Sequence, residues 1–233
     1  MSGKDWNAPF DFDAEYGEGY DLLIRAILPG YDDFFPTSVG FLTVTVPGDG
    51  QVLVVGCGTG SEIKALRNLQ PKWHLTGVDP SPRMINTCRR QFAGHPHLTL
   101  HEGYLNTLST HNKFDGSTAI LVMHFLEDDG SKLSFLRQIR ARLRPGAIHI
   151  HLDAVAHPGG KGWDTMMGSW RRIALERGLP ENRWVFLQEQ IAVGLFRSGE
   201  KRMEELFRLA GFVEVQRFFM SLHHIGWLMR ADG

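Results

Sequence analysis

Short apolar runs alternate with longer segments in which apolar residues recur every three or four positions. The runs predict buried strands, and the spacing between them predicts amphipathic helices. Repeated strand–helix alternation is typical of an α/β protein whose sheet is mostly parallel. The five predicted strands are Val52–Val55, His74–Asp79, Leu98–Glu102, Asp115–Met123 and Ala147–Leu152.

Helix boundaries follow from residues that start or stop helices. Ser61–Leu69 has apolar residues on one side, and Ser81 with Pro82 is a favourable start for a helix that reaches about Gly94. A third segment, Asp129–Arg144, is predicted to be a helix that Pro145-Gly146 ends. It carries arginines at positions 137, 140, 142 and 144, which favour a solvated basic face near its C-terminus.

The alternation pauses after the fifth strand. A glycine-rich loop is followed by an amphipathic helix with Trp163, Met166, Met167, Trp170, Ile173 and Ala174 on one face, and Pro180 begins another helical piece that ends near Val193. Residues 158–195 therefore form a predicted helical lid, although the same apolar face also suits plain core packing.

The C-terminal part predicts one more helix and a hairpin. Ser198 is expected to cap a helix that reaches Leu209 and stops at Gly211. Val213–Met220 and His223–Arg230 are strands separated by two residues, and strands joined so tightly must be antiparallel.

An N-terminal cap is predicted over residues 1–46, within a single domain of residues 1–233. A short helix is expected to stop near Pro29-Gly30. Thr37–Val46 is compatible with a helix or a strand.

The chain is organised around the segment QVLVVGCGTGSE at residues 51–62. Gly56, Gly58 and Gly60 follow the first strand, and residues without a Cβ let the backbone approach a ligand closely. A phosphate-binding loop needs Lys after the last glycine, and the dinucleotide fingerprint needs glycine where Ser61 stands. Asp79 ends the next strand, where a carboxylate can accept hydrogen bonds from both hydroxyls of a ribose. Together, the glycine loop and Asp79 indicate a site for an adenosine whose other end is not a diphosphate.

These two stretches, VLVVGCGTG and LTGVDPSPRMI, resemble the first two motifs of the class I S-adenosylmethionine-dependent methyltransferases. The resemblance implies a Rossmann-like, doubly wound sheet with an antiparallel C-terminal hairpin. It also implies S-adenosylmethionine as cofactor and S-adenosylhomocysteine as product. The alternative is a structural strand–helix turn in another doubly wound protein.

The segment from Tyr20 to Tyr31 further resembles the N-terminal helix of carboxy-S-adenosylmethionine synthases. This resemblance implies that Tyr31 contacts the cofactor, and Arg25 could neutralise its methionine carboxylate; packing of Tyr31 against the helix end is the alternative. Family members usually carry an acid after the third strand, but Tyr104 and Leu105 follow Gly103 here. The expected cofactor-binding residues are Tyr31, Arg25, Gly56, Cys57, Gly58, Gly60, Asp79, Pro80, Met84, Gly103, Tyr104, Leu105, Leu121 and Met123.

Histidines are the candidates for catalysis. His124 directly follows the fourth strand, near the expected position of the donor methyl group, and is the candidate general base; a packing role is the alternative. His149, His151 and Asp153 share a strand face, with His223 and His224 on a predicted neighbour. Interior strand positions favour core histidines over a metal site, so no metal is expected.

Composition restricts the partners. The formal net charge of 233 residues is −1, which gives no support for nucleic acid or membrane binding. Because the sequence has only two cysteines, Cys57 and Cys88, we expect no disulfide framework. We also expect no signal peptide and no membrane span, because the sequence lacks apolar runs of the length that these need. A cytoplasmic protein is expected, and a homodimer and a monomer both stay open.

The function predicted from the sequence is methyl transfer to oxygen or nitrogen of a small-molecule acceptor. Two alternatives are kept. One is a tRNA-modifying enzyme of the carboxy-S-adenosylmethionine type, which the basic face around Arg140 would serve. The other is a non-catalytic protein that binds S-adenosylmethionine.

Overall fold

The computed structural model describes residues 16–109, 111, 113–157 and 159–233. Its centre is a seven-stranded sheet with the order β3-β2-β1-β4-β5-β7-β6. The strands are β1 Gln51–Val55, β2 His74–Asp79, β3 Leu98–Glu102, β4 Phe114–Ile120, β5 Leu143–Ala154, β6 Phe212–Ser221 and β7 His224–Ala231. Strands β1 to β5 pair in parallel, and β7 pairs antiparallel with both β5 and β6. The predicted doubly wound sheet with its antiparallel terminal hairpin is confirmed.

Eight helices cover the two faces of the sheet in the described ranges. They are α1 Tyr16–Ile27, α2 Tyr31–Leu42, α3 Ser61–Leu69, α4 Pro82–Gln91, α5 Ser131–Arg140, α6 Lys161–Glu176, α7 Glu181–Gly194 and α8 Glu200–Leu209. Short 3₁₀ turns follow β3 and β4 at Leu105–Thr107 and Met123–Phe125. No helix in these ranges combines the length and the apolarity that crossing a membrane requires.

Alternate residues of the central strands feed two apolar cores. Val52 and Val54 face a core built with α1–α4, α6 and α7, whereas Leu53 and Val55 face a second core under α5 and α8. Both sides of β1 are thus buried, as its unbroken apolar run predicts. The glycine loop is therefore attached to a strand that is buried on both faces.

The N-terminal cap consists of two helices where it is described; residues 1–15 lie outside the described residues. The open choice at residues 37–46 is decided for helix as far as Leu42, with Pro36 inside α2. Phe34, Val39 and Leu42 of α2 are buried against the sheet. This packing outweighs the strand preference of the β-branched residues.

The predicted end of α5 and the predicted start of β5 are wrong. The helix expected to reach Arg144 ends at Arg140, and Leu143 already pairs with Phe114 in the sheet. The ladder has a register shift after this pair, and Gly146 has a φ of 77°, so Pro145-Gly146 is accommodated as an irregularity inside β5.

Ser198 is not the cap of α8. Gly199 occupies that position without a side-chain cap, and the Ser198 hydroxyl instead donates a hydrogen bond to Asp128 at 3.3 Å. Gly211, with a φ of 89°, ends the helix as predicted.

Candidate functional site

A cavity of about 590 Å³ opens at the carboxyl ends of β1, β2 and β4. Ligands of open parallel sheets bind at this edge. Eleven of the residues expected to bind the cofactor line it: Tyr31, Gly56, Cys57, Gly58, Asp79, Pro80, Met84, Gly103, Tyr104, Leu105 and Leu121. Gly60, Arg25, Met123 and His124 do not.

The three glycines of the loop have different structural roles. All have positive φ, at 69° for Gly56, 52° for Gly58 and 98° for Gly60. A Cβ on Gly56 would lie 2.3 Å from Val122, and one on Gly60 would lie 2.5 Å from Phe92, so both positions are closed by packing. A Cβ on Gly58 would meet no protein atom within 4 Å. Gly58 therefore leaves the space into which a ligand can come close to the backbone.

Asp79 is fixed at the tip of β2. One carboxylate oxygen accepts a hydrogen bond from the Gly58 amide and the other from the Ser81 amide, each at 2.9 Å. A carboxylate oxygen can accept more than one hydrogen bond. This geometry suits the two hydroxyls of a ribose.

The far end of the cavity is formed by the turn after β3. Tyr104 is 69% exposed at its mouth, and Leu105 is buried beneath. The opposite wall contains Met84, whose amide donates to the cap residue Ser81 at 3.2 Å. A planar base can lie between an aromatic ring and apolar side chains of this kind.

The N-terminal helix α1 is bound to the glycine loop through Asp21. The Asp21 carboxylate accepts hydrogen bonds from the Thr59 hydroxyl at 2.9 Å and from the Ser61 hydroxyl at 2.8 Å. Asp21 and the buried Tyr31 both line the cavity. The cap therefore closes one side of this cavity.

Arg25 does not line the cavity. Its guanidinium pairs with Asp32 at 3.0 Å and donates to the Asp21 carbonyl at 2.9 Å. Its guanidinium carbon also lies 5.6 Å from the centre of the Tyr31 ring. In this arrangement Arg25 supports the cap rather than lining the cavity.

His124 is part of a buried pair with Asp153. The His124 Nδ1 contacts one Asp153 oxygen, and the other oxygen lies 3.4 Å from His151 Nε2. Burial raises the pKa of Asp153, but His124 and His151 outweigh it and hold that pKa below its ordinary value. Asp153 is therefore ionised and fixes the orientation of the His124 ring, leaving Nε2 as the nitrogen not paired with it.

Two further contacts fix the turn that carries His124. The buried Lys132 ammonium donates to the Met123 carbonyl at 2.8 Å, and the Phe196 amide donates to the His124 carbonyl at 2.7 Å. Burial lowers the pKa of Lys132, and the nearby carboxylates of Asp153 and Asp128 oppose this effect.

A second, small cavity of about 50 Å³ lies beneath α6 and α7. Its lining includes His124, His223 and His224 among apolar residues such as Trp170 and Leu187. Burial lowers the pKa of His223 to about 2 and that of His224 to about 3, so both rings are neutral at neutral pH. Tyr20, Leu121 and Phe125 line both cavities and hence separate them.

The predicted lid is tied to the cap. Trp170 of α6 donates from its indole nitrogen to the Ile27 carbonyl at 2.6 Å, and Arg177 donates to the Arg25 carbonyl at 2.9 Å. The apolar face of α6 both packs in the core and lines the small cavity.

The remaining strand histidines are core residues in their surroundings. His149 Nδ1 lies 2.8 Å from the Ser117 hydroxyl, and His151 packs edge-on against Phe207. Burial, with His151, lowers the pKa of His149 well below its ordinary value. Within the described residues, no three His, Cys, Asp or Glu side chains are grouped so that they could hold a metal ion.

Several residues of the site were missed in the sequence. Asp21 and Lys132 lie on helices, where a charged residue usually marks a solvated face. Glu62 directly follows the glycine loop but carries no local sign of its burial. Their roles follow only from the structure, in which Asp21 lies against the glycine loop, Lys132 against the turn that carries His124, and Glu62 near Tyr31.

Comparison with known proteins agrees with this geometry. A sequence model described as a methyltransferase domain matches residues 53–149, which include the glycine loop, Asp79 and His124. Over the part that holds the glycine loop, Asp79 and His124, the chain is thus similar to S-adenosylmethionine-dependent methyltransferases of class I, and this similarity supports S-adenosylmethionine as its cofactor.

Its relatives include two kinds of bacterial enzyme. The chain is 24% identical to a carboxy-S-adenosyl-L-methionine synthase of Campylobacter fetus, over 90% of this chain and 89% of the relative. It is 26% identical to the ubiquinone/menaquinone biosynthesis C-methyltransferase UbiE of Desulfotalea psychrophila, over 93% of this chain and 87% of the relative. Magnesium protoporphyrin IX methyltransferase of Synechocystis has the same fold, with a TM-score of 0.67, 14% identity and coverage of 95% and 96%.

Proposed function

We propose that this enzyme transfers the methyl group of S-adenosylmethionine to a hydroxyl oxygen of a small, largely apolar acceptor. The large cavity holds the donor, and the reacting end of the acceptor enters the small cavity beneath α6 and α7. His124 is the general base, and Asp153 holds it in position.

The observation that carries this proposal is the buried His124–Asp153 pair at the wall of the small cavity. A carboxylate at one ring nitrogen keeps the proton there and stabilises the charge that forms when the other nitrogen accepts a proton. An apolar setting makes the pair effective, because water does not compete for the imidazole.

The reaction balances with these groups alone. The acceptor hydroxyl gives its proton to His124 Nε2 as its oxygen bonds to the methyl carbon. The carbon–sulfur bond breaks and its electron pair stays on sulfur, which gives S-adenosylhomocysteine. Alignment and exclusion of water supply most of the acceleration in such a displacement.

The walls of the small cavity support an uncharged reacting group. Trp170, Leu187 and Ile191 contribute apolar surface, and neutral His223 and His224 can exchange hydrogen bonds with a hydroxyl. Its limited volume admits a single substituent or the edge of a ring. Some relatives are named for small acceptors, such as demethylmenaquinone for the enzyme of Symbiobacterium thermophilum, which is 28% identical over 88% of this chain.

The carboxy-S-adenosylmethionine alternative has less support. In that subgroup an arginine holds the extra carboxylate, and the matching position falls near Leu187. Leu187 is buried and lines the small cavity. The nearby Arg183 is exposed.

The tRNA alternative also has less support, because it depends on the predicted basic face around Arg140. Arg140 pairs with Asp232, Arg142 is buried and donates to the Leu108 carbonyl, and Arg144 pairs with Asp115. Three arginines of the predicted basic face are thus engaged within the protein. A formal net charge of −1 adds no attraction to phosphates.

The test is methyl transfer by wild type, His124→Gln and the control His111→Gln to a panel of small phenols, alcohols and amines, with isotopically labelled donor. His124→Gln is expected to lower turnover at least about 100-fold, the low end of general-base effects, with donor affinity unchanged. His111 is exposed, so its variant should match wild type. Equal turnover by wild type and His124→Gln would remove His124 as the base, and a product methylated on nitrogen or carbon would overturn the choice of a hydroxyl acceptor.

A further inference from the structure

The large cavity is acidic along the side that α1 closes. Asp21 and Glu62 lie there, and Asp79 lies at the tip of β2. No Lys, Arg or His is among the described residues that line this cavity. Asp79 is suited to a ribose, and of the remaining pair, Asp21 and Glu62, only Asp21 has a role so far, because it holds α1 on the glycine loop.

Glu62 is the unusual member of this pair. It stands in the first turn of α3, directly after the glycine loop, and is only 6% exposed. Its Oε1 accepts no hydrogen bond from the described residues. A buried carboxyl group without full hydrogen bonding destabilises a fold, so a position of this kind points to a ligand.

The groups around Glu62 come from several elements. Asp21 approaches from α1, Tyr31 from α2, Cys57 from the glycine loop and Thr118 from β4. Burial raises the pKa of Glu62 to about 8, against a lowering effect of the Thr118 hydroxyl. Burial raises the pKa of Tyr31 well above its ordinary value, and the charge of Glu62 adds to this effect. The carboxyl group of Glu62 is therefore mostly protonated at neutral pH while no cation is near.

A cation beside Glu62 favours the ionised form. The donor is cationic at its methionine end, where it carries an α-ammonium group and the sulfonium. With its ribose at Asp79 and its base at Tyr104, that end lies along the glycine loop towards Asp21, Tyr31 and Glu62.

We propose that Glu62, together with Asp21, binds the α-ammonium group of the donor, and that Glu62 releases its proton when this cation binds. The inference rests on the large cavity being the donor site. Because the ammonium is common to S-adenosylmethionine and S-adenosylhomocysteine, both ligands release the proton. A ligand without the amino-acid part, such as 5′-methylthioadenosine, releases none.

The test is titration calorimetry at pH 7 in two buffers with different ionisation enthalpies, which gives the number of protons released on binding. Wild type is expected to release about 0.9 proton with either S-adenosylmethionine or S-adenosylhomocysteine, because a group with a pKa of about 8 is about 90% protonated at pH 7. Glu62→Gln keeps the shape of the side chain, should release almost none, and should bind both ligands at least about tenfold more weakly. Both proteins should bind 5′-methylthioadenosine equally and without proton release.

Glu102→Gln is the matched control, because Glu102 pairs with Arg89 and does not line the cavity. It should behave as wild type. Equal proton release by wild type and Glu62→Gln would overturn the inference, and release with S-adenosylmethionine alone would move the contact to the sulfonium and overturn the ammonium assignment. Failure of all three ligands to bind wild type would refute the donor site itself, which is a different result from binding without proton release.

Discussion

Glu62 should make the stability of the cofactor-free protein depend on pH in a specific way. Burial raises its pKa from 4.5 to about 8 in the folded protein, so between these pH values the folded state holds a proton that the unfolded state has lost. The free energy of unfolding then falls as pH rises, by about 1.4 kcal/mol per pH unit. It levels off above pH 8, after a total loss of about 5 kcal/mol at most.

Comparison with Glu62→Gln isolates this contribution, because other titrating groups cancel in the difference. Urea denaturation at pH 6, 7, 8 and 9 without ligand measures both proteins. The variant should gain about 2–3 kcal/mol relative to wild type between pH 6 and pH 8, and little more by pH 9. Glu102→Gln should show no such trend. Parallel curves for wild type and Glu62→Gln would refute the reasoning, because they would mean that Glu62 is ionised in the folded state throughout.

Three other predictions concern separate parts of the site. Gly58→Ala places a methyl group in the open space of the loop at a φ of 52°, so donor binding should fall at least about tenfold in calorimetry for a stability loss of only about 1–2 kcal/mol. Asp153→Asn should leave donor affinity nearly unchanged and lower turnover at least about 100-fold, because His124 loses the charge that orients it; unchanged turnover would contradict this. Asp21→Asn weakens the attachment of α1 to Thr59 and Ser61, so limited proteolysis should cut near α1 faster than in wild type when no donor is bound.

The side of the cavity that β1 and β2 form could be predicted from the sequence because its signals are local. The apolar run before Gly56 predicts a strand buried on both faces, and the spacing to Asp79 places a carboxylate at the tip of the neighbouring strand. Both features depend on a single strand–helix–strand unit. Tyr31 and Leu105 lie outside this unit and line the same cavity, and their contact with the donor stays a prediction.

Residues that come together only through pairing of strands in the sheet could not be predicted from local signals. His124 and Asp153 are 29 positions apart in the sequence and come together because β4 and β5 are neighbours. The sequence places both residues at the ends of strands, but it does not show that Asp153 orients His124. Likewise, Asp21 reaches the glycine loop only because α1 packs over it.

Local signals also failed where packing outweighed them. Pro145-Gly146 predicts the end of a helix, yet the chain uses it for an irregularity within β5. Ser198 has a good capping side chain, yet its hydroxyl meets Asp128. Arg25 is expected at the cofactor carboxylate, but its guanidinium pairs with Asp32, seven residues away, and does not line the cavity.

The central claim is that the glycine loop and Asp79 hold the donor. Titration calorimetry of S-adenosylmethionine and S-adenosylhomocysteine into wild type, Asp79→Ala and Asp115→Ala tests it most directly. Asp115 is the matched control, because it also accepts a hydrogen bond from a backbone amide, that of Gln51, at the opposite end of β1. Charge-assisted hydrogen bonds contribute about 1.5–3 kcal/mol each, so Asp79→Ala should weaken binding at least about tenfold while Asp115→Ala binds as wild type does. Equal affinity for Asp79→Ala and wild type, or no binding of either ligand to wild type, would contradict the account.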